Sequence, residues 1–260
     1  MRQTSLRLIF ILAGIAVFLL LAAPQSLRAK DDGFFLFAEQ LPPYSYVEGG
    51  QTRGVAVDVV LELFLRAGMA VAPEDIRFEP WARVLQNIET RPGSVAICVA
   101  RTPEREKRFK WVGPVCSNRG GLIALRKRNF HIRKLPEDVR GMSIGIVRGS
   151  AARERLLVRG VSPDSIFSVN SQESLIRMLN RERIDLLASD MRSSFHEMER
   201  LGYGSEDFEL VFPFALLDFH LAFHVGTDDA LIARLQRILD DMKKPGEDGT
   251  SVHEQILSRY

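Results

Sequence analysis

The chain has 260 residues, 46% of them hydrophobic, with 35 Lys and Arg against 33 Asp and Glu. That is enough for one large domain or for two lobes of roughly 100 residues each. It opens with Arg2 and Arg7, followed by an unbroken apolar run from Leu8 to Ala23 that Pro24 ends. This reads as a secretory signal rather than a spanning helix, which needs about 20 apolar residues. A cut after Ala29 removes three arginines and leaves 32 basic against 33 acidic residues. A nucleic-acid binder is expected to show a basic face, and the only dense basic cluster is Arg126-Lys127-Arg128 with Arg133-Lys134, so no nucleic-acid partner is expected. No cysteine directly follows the apolar run to carry a lipid, so the mature chain is expected to be freely soluble outside the cytoplasm.

Phe34 to Phe37 reads as a first strand, followed by a loop, Glu39 to Ser45, stiffened by two prolines. Gly49-Gly50 turns the chain, and Val57, Val60, Leu61, Phe64 and Leu65 then share one helical stripe ending at Gly68. Ile76 to Phe78 is a strand, Trp81 to about Glu89 a helix, and Val95 to Val99 a buried strand behind the Pro92-Gly93 turn. Thr102 and Pro103 look like the cap and first position of a helix that carries Arg105 in its first turn.

Gly121 to Leu125 is a further strand, and the cluster Arg126-Lys127-Arg128 with Arg133-Lys134 reads as a solvated connector. The rhythm then repeats. A helical turn at Leu135 to Arg140 precedes a strand at Ser143 to Val147, a helix opened by Gly149-Ser150, and a strand at Ile166 to Val169. A helix capped by Ser171 and a strand at Ile184 to Ala188 complete it, with Asp190 two residues past that strand, at the mouth of the next helix. The expected fold is α/β with two lobes, each a mostly parallel sheet flanked by helices. Strands at Phe208 to Val211 and Phe219 to Val225 and two closing helices return to complete the first lobe. Lobe 1 is thus residues 30–125 plus 218–260, lobe 2 is residues 126–217, and the chain crosses near Leu125 and near Phe214 to Leu217.

Three polar features share one address, the carboxyl end of a strand, where ligands of α/β sheets bind. Arg105 supplies a planar cation suited to two-point contact with a carboxylate. Ser150 and Ala151 supply a helix start that favours an anion. Asp190 supplies an anion. Taken singly, Ser150 is an ordinary cap, Asp190 an ordinary acid at a helix start and Arg105 a surface arginine. Together they suit a small zwitterion shaped like an α-amino acid. Tyr44 and Trp81 are candidate aromatic walls, and Arg83 and Arg101 are weaker candidates for extra anionic contacts. Cys98 and Cys116 have the option of a disulfide outside the cytoplasm, but Cys98 sits in an apolar strand, which favours free thiols. The five histidines form no metal signature, and no P-loop, dinucleotide or Gly-x-Ser-x-Gly motif occurs. No cofactor, metal or catalytic residue is expected.

The runs EQLPPYSY, PWARVL, VARTPEREKRF, WVGPV, VRGSAARERL and RIDLLASD resemble the extracellular solute-binding proteins of the polar amino acid transporter family, with the type II periplasmic binding fold. The resemblance implies a receptor that hands its ligand to the permease of an ABC transporter. It implies that Arg105 grips the ligand's α-carboxylate, that Ser150 and Ala151 assist, and that Asp190 takes the ammonium. Ala100 belongs to the same binding set but stands where amino-acid binders usually carry a hydroxyl. Val95 replaces a frequent aspartate, and Leu41 a frequent aromatic. Two rivals remain open: a periplasmic dehydratase or lyase on the same fold, using Glu39, Asp190 or a histidine, and a sensor with a degenerate cleft.

Overall fold

The computed structural model describes residues 33–260, and the expected signal segment, 1–29, lies outside them. Among the described residues no helix is long and apolar enough to cross a membrane. In chain order the first half holds β1 (Phe35–Ala38), β2 (Tyr46–Glu48), β3 (Gln51–Arg53), α1 (Val55–Arg66), β4 (Ile76–Phe78), α2 (Trp81–Thr90), β5 (Ser94–Ala100) and β6 (Phe109–Asn118). There follow β7 (Gly120–Leu125), β8 (Ile144–Val147), α3 (Ala151–Val158), β9 (Ile166–Val169), α4 (Gln172–Asn180), β10 (Leu186–Asp190), α5 (Met191–Arg200) and β11 (Phe208–Pro213). The tail supplies β12 (Leu217–His224), α6 (Asp229–Met242) and α7 (Val252–Leu257).

Two five-stranded sheets organise these elements, in the orders β4-β1-β5-β12-β6 and β11-β7-β10-β8-β9. Each is parallel on one side, where helical crossovers connect the strands, and antiparallel on the other. All seven residues of β5 are buried, which is why its sequence is a nearly continuous apolar run rather than an alternating one. One apolar cluster reaches across both sheets and includes Trp81 and Val84 from the first lobe with Val147 and Leu175 from the second.

Four departures from the sequence reading have physical causes. First, β6 was not anticipated, because Gly113-Pro114 interrupts its pattern. The strand lies at the edge of its sheet, where a proline costs no ladder hydrogen bond. Second, β7 belongs to the second sheet, so the first crossing falls at Arg119 rather than near Leu125; the second falls between β11 and β12. Third, no helix starts at Thr102. The short link between β5 and β6 reverses through tight turns, with Arg105 N–H bonded to the Thr102 carbonyl (3.0 Å) and Arg108 N–H to that of Arg105 (3.0 Å). Fourth, the basic cluster is paired rather than merely solvated: Lys127 meets Glu182 (2.5 Å), Arg128 meets Asp185 (2.8 Å) and Arg126 meets Glu209 (3.3 Å).

Cys98 and Cys116 are both buried and free. They lie on β5 and β6, which flank β12. Their thiols nonetheless approach one another, and the contact with Cys98 together with burial holds the Cys116 thiol well above its ordinary range.

The proline-stiffened loop is fastened to the start of α1. Val55 and Ala56 donate their N–H groups to the carbonyls of Pro43 and Tyr44, both at 3.0 Å, so the loop backbone caps the helix. Gly54 makes this possible, with φ at 131° and the Tyr44 carbonyl oxygen only 2.2 Å from where a Cβ would sit. Gly54→Ala is therefore expected to cost about 2–3 kcal/mol, read as a melting temperature lowered by about 5–10 °C. An unchanged melting temperature would show that the loop yields freely.

Candidate functional site

Between the two sheets lies a cavity of about 110 Å³ whose walls come from both lobes. The first lobe contributes Glu39, Trp81, Ala100 and Arg105. The second contributes Ser150, Ala151 and Asp190, and the crossings contribute Asn118 and Phe214. The carboxyl ends of β5, β8 and β10 supply most of these positions, directly or through the turn that follows.

Arg105 is 4% exposed. Its Nη1 donates to the Ala100 carbonyl (3.0 Å) and its Nη2 to the Gly149 carbonyl (2.6 Å). The guanidinium thus ties the end of β5 to the turn between β8 and α3. It lies 5.5 Å from the centre of the Trp81 ring, and no carboxylate lies within ion-pairing distance of it among the described residues. Burial pushes its pKa down to about 10. Two neutral carbonyls leave a buried cation uncompensated, which is costly unless an anion joins it.

The Gly149 carbonyl also accepts from the Trp81 indole N–H (2.9 Å). Gly149 has φ at +76°, and a Cβ there would come within 3.2 Å of Leu85, so a bare backbone is what lets the lobes meet at this point. Trp81 is accordingly both core and cavity wall.

Asp190 is the last residue of β10 and the N-cap of α5, not a residue beyond the strand as its sequence context suggested. Its Oδ1 accepts from the Ser193 N–H (2.7 Å) and its Oδ2 from the Tyr44 hydroxyl (3.2 Å). Burial raises its pKa to about 6, against the opposing pull of these hydrogen bonds. Tyr44 therefore does not line the cavity, as the sequence suggested. It is fully buried, edge-on to Phe219 at 5.1 Å, and holds the acid from behind. Burial, Asp190 and Cys116 together drive its own pKa upward.

Six of the seven sequence-selected residues thus line one cavity, and the seventh, Tyr44, lies behind Asp190. Leu41 also lines it, Val95 is core, Arg83 is exposed, and Arg101 is turned to Glu106 (2.5 Å). Ser150 caps α3 without a side-chain cap bond, and its hydroxyl, like that of Thr102, is buried with no partner. Two polar residues gain weight from the structure. Glu39, named from sequence only as a candidate acid or base, faces the cavity with no side-chain partner, and desolvation there raises its pKa to about 8 although the residue as a whole is only half-buried. Its place just past β1 repeats the address of the other site residues. Asn118 carried no signal at all, since β6 itself was not recognised.

Trp81→Phe removes one of the two donors that hold Gly149, so the unliganded protein should open, seen as an increased radius of gyration in small-angle scattering. An unchanged radius would remove this bond from lobe closure. Glu39 retains a proton in the folded state that an unfolded chain releases near its ordinary value of 4.5. Its contribution to stability is full below that value and is lost as pH rises through about 8. The Glu39 contribution is expected to lower the melting temperature as pH rises from 4.5 to about 8 and to level off above that, and Glu39→Gln to flatten the fall. Parallel profiles for the two proteins would refute the assignment.

The profile of the bacterial extracellular solute-binding proteins, family 3, matches residues 35–250. No curated protein matches the sequence. Among solved structures, a histidine kinase sensor domain similar to periplasmic binding proteins superposes with a TM-score of 0.74 at 18% identity, covering 88% of this chain and 96% of that one. An ancestral arginine-binding protein bound to arginine gives 0.71 at 18%, covering 88% and 98%. The arginine-, lysine-, histidine-binding protein ArtJ from Geobacillus stearothermophilus gives 0.69 at 15%, covering 87% and 94%. At these identities the likeness establishes the fold, a two-lobed α/β periplasmic-binding type. With a family profile spanning most of its length, the chain belongs to the bacterial extracellular solute-binding proteins of family 3.

Proposed function

We propose that this protein captures a small amino-acid-like solute between its lobes in the periplasm and presents it, as a monomer, to the permease of an ABC transporter. The observation that carries the reading is the buried, acid-free guanidinium of Arg105 in the same cavity as the carboxylate of Asp190. A zwitterion satisfies both. Its carboxylate takes the place beside Arg105, with the unpartnered hydroxyl of Ser150 and the start of α3 at Ala151 as further donors. Its ammonium lies at Asp190, where a neighbouring positive charge offsets the effect of burial and keeps the acid ionised.

Capture and closure are then one process. The two charged groups come from different lobes, so a ligand that spans them binds only the closed arrangement and shifts the population toward it. Trp81 and Ala100 supply the apolar remainder of the wall. The solved relatives that bind arginine, lysine or histidine are consistent with a ligand of this class.

A second reading, a sensor domain, is favoured by the superposition on the histidine kinase domain. Calorimetry across the twenty L-amino acids tests capture itself. At least one should bind saturably, and Arg105→Ala should weaken that binding by about 100-fold or more. Unaltered affinity in Arg105→Ala would remove the residue from the site, and the absence of any saturable response would overturn the reading. Uptake of the bound amino acid by cells with and without the protein separates transport from sensing.

A further inference from the structure

We infer that Asn118 is the second acceptor for the ligand's ammonium, alongside Asp190, and that it makes the site selective for a primary amine over an N-alkylated one. The inference rests on the zwitterion reading above and identifies the residue that sets its selectivity.

Asn118 is the last residue of β6, beside the first crossing between the lobes. It is 7% exposed, lines the cavity, and its Oδ1 is buried without a donor among the described residues. A buried carbonyl oxygen left in this state is destabilising, and a ligand N–H relieves it. Two residues further on, Gly120 is the register partner of Asp190 across β7 and β10. Asn118 and Asp190 are therefore held on neighbouring stretches of backbone, and both residues line the cavity.

Counting donors and acceptors shows why a second acceptor is needed. A primary ammonium has three N–H groups to place. Both oxygens of Asp190 already accept from within the protein, one from Ser193 and one from Tyr44, which limits what the acid takes alone. The end of β5 brings Cys98 and Ala100 to the cavity, and neither side chain has an oxygen; the Ala100 carbonyl is occupied by Arg105. The Gln172 amide is engaged with the hydroxyls of Ser193 and Ser194. Glu39 keeps its proton at neutral pH and so presents a donor as well as an acceptor. Asn118 is a neutral side-chain acceptor with no donor to it among the described residues, and it adjoins the crossing that leads to Asp190. It supplies from the hinge strand what β5 does not.

The test is a cycle of two changes read by calorimetry. The probes are L-arginine, L-glutamine and their Nα,Nα-dimethyl derivatives, which keep the charge and one N–H for Asp190. Wild type should bind at least one parent amino acid and discriminate against its dimethyl form by about tenfold or more. Asn118→Leu should lose about tenfold for the parent and most of the discrimination, since each change removes the same hydrogen bond. Because leucine also eliminates an orphaned buried oxygen, the unliganded melting temperature should hold or rise, which a merely structural asparagine would not do. Asn118→Ala serves if the leucine overpacks.

Full affinity in both variants, penalties that multiply independently, or a melting temperature that falls in step with affinity would each overturn the assignment. If wild type binds neither parent but another of the twenty L-amino acids, that acid and its Nα,Nα-dimethyl form replace the probes; failure to bind any of the twenty would overturn the assignment together with the zwitterion reading. If wild type binds, Arg105→Ala does not, and Asn118→Leu binds as wild type does, only the role of Asn118 falls.

Discussion

A guanidinium buried between two lobes, held by two backbone carbonyls and no acid, is the constraint around which the rest of this molecule is arranged. Arg105 reaches from the reversal after β5 to the turn before α3, so the group that carries the uncompensated charge also joins the lobes. A charged group without a counterion in a low-dielectric crevice is held at a cost, visible here as a pKa depressed by burial. Trp81 shares the burden from the same lobe, donating to the same carbonyl of Gly149. The apolar cluster that runs from α2 across to Val147 supplies the packing that keeps this polar junction away from water.

The opposite charge is managed differently. Asp190 is positioned by local rules, as the N-cap of α5, where the unsatisfied N–H groups of a helix start favour an anion. Burial nonetheless wins over capping, and the net effect is a raised pKa. Tyr44 reinforces the acid from behind and is itself fixed, because the carbonyls of its loop cap α1. The acid is thus anchored in both lobes, by its own helix in one and by a tyrosine of the other. Each charged group of the cavity is held by hydrogen bonds from within the protein, Arg105 by two carbonyls and Asp190 by two donors.

Much of the fold was legible in the chain. Alternating strand and helix periods, turn signals at Pro92-Gly93, and caps such as Ser171 are local, and the structure retains them with shifts of a residue or two. The errors cluster where context overrides local preference. Thr102-Pro103-Glu104 has the composition of a helix start, yet the chain must turn back within a few residues to build β6, and turns do that more compactly. The strand β6 escaped notice because a Gly-Pro pair is tolerated only at a sheet edge, and edge position is a property of the assembled sheet.

By itself the sequence determined the class of fold, the two-lobed plan and the residue types that bear charge at strand ends, because strand ends and helix starts are written in short-range patterns of apolar, capping and turn residues. What only the tertiary structure decided was which of those residues share a wall. It sent Tyr44 behind Asp190 instead of into the cavity, left Glu39 facing it without a partner, and brought in Asn118 from a strand with no clear local signature. The reason is physical: a charge or an amide gains its role from what surrounds it after burial, and those surroundings come from segments far apart in the chain.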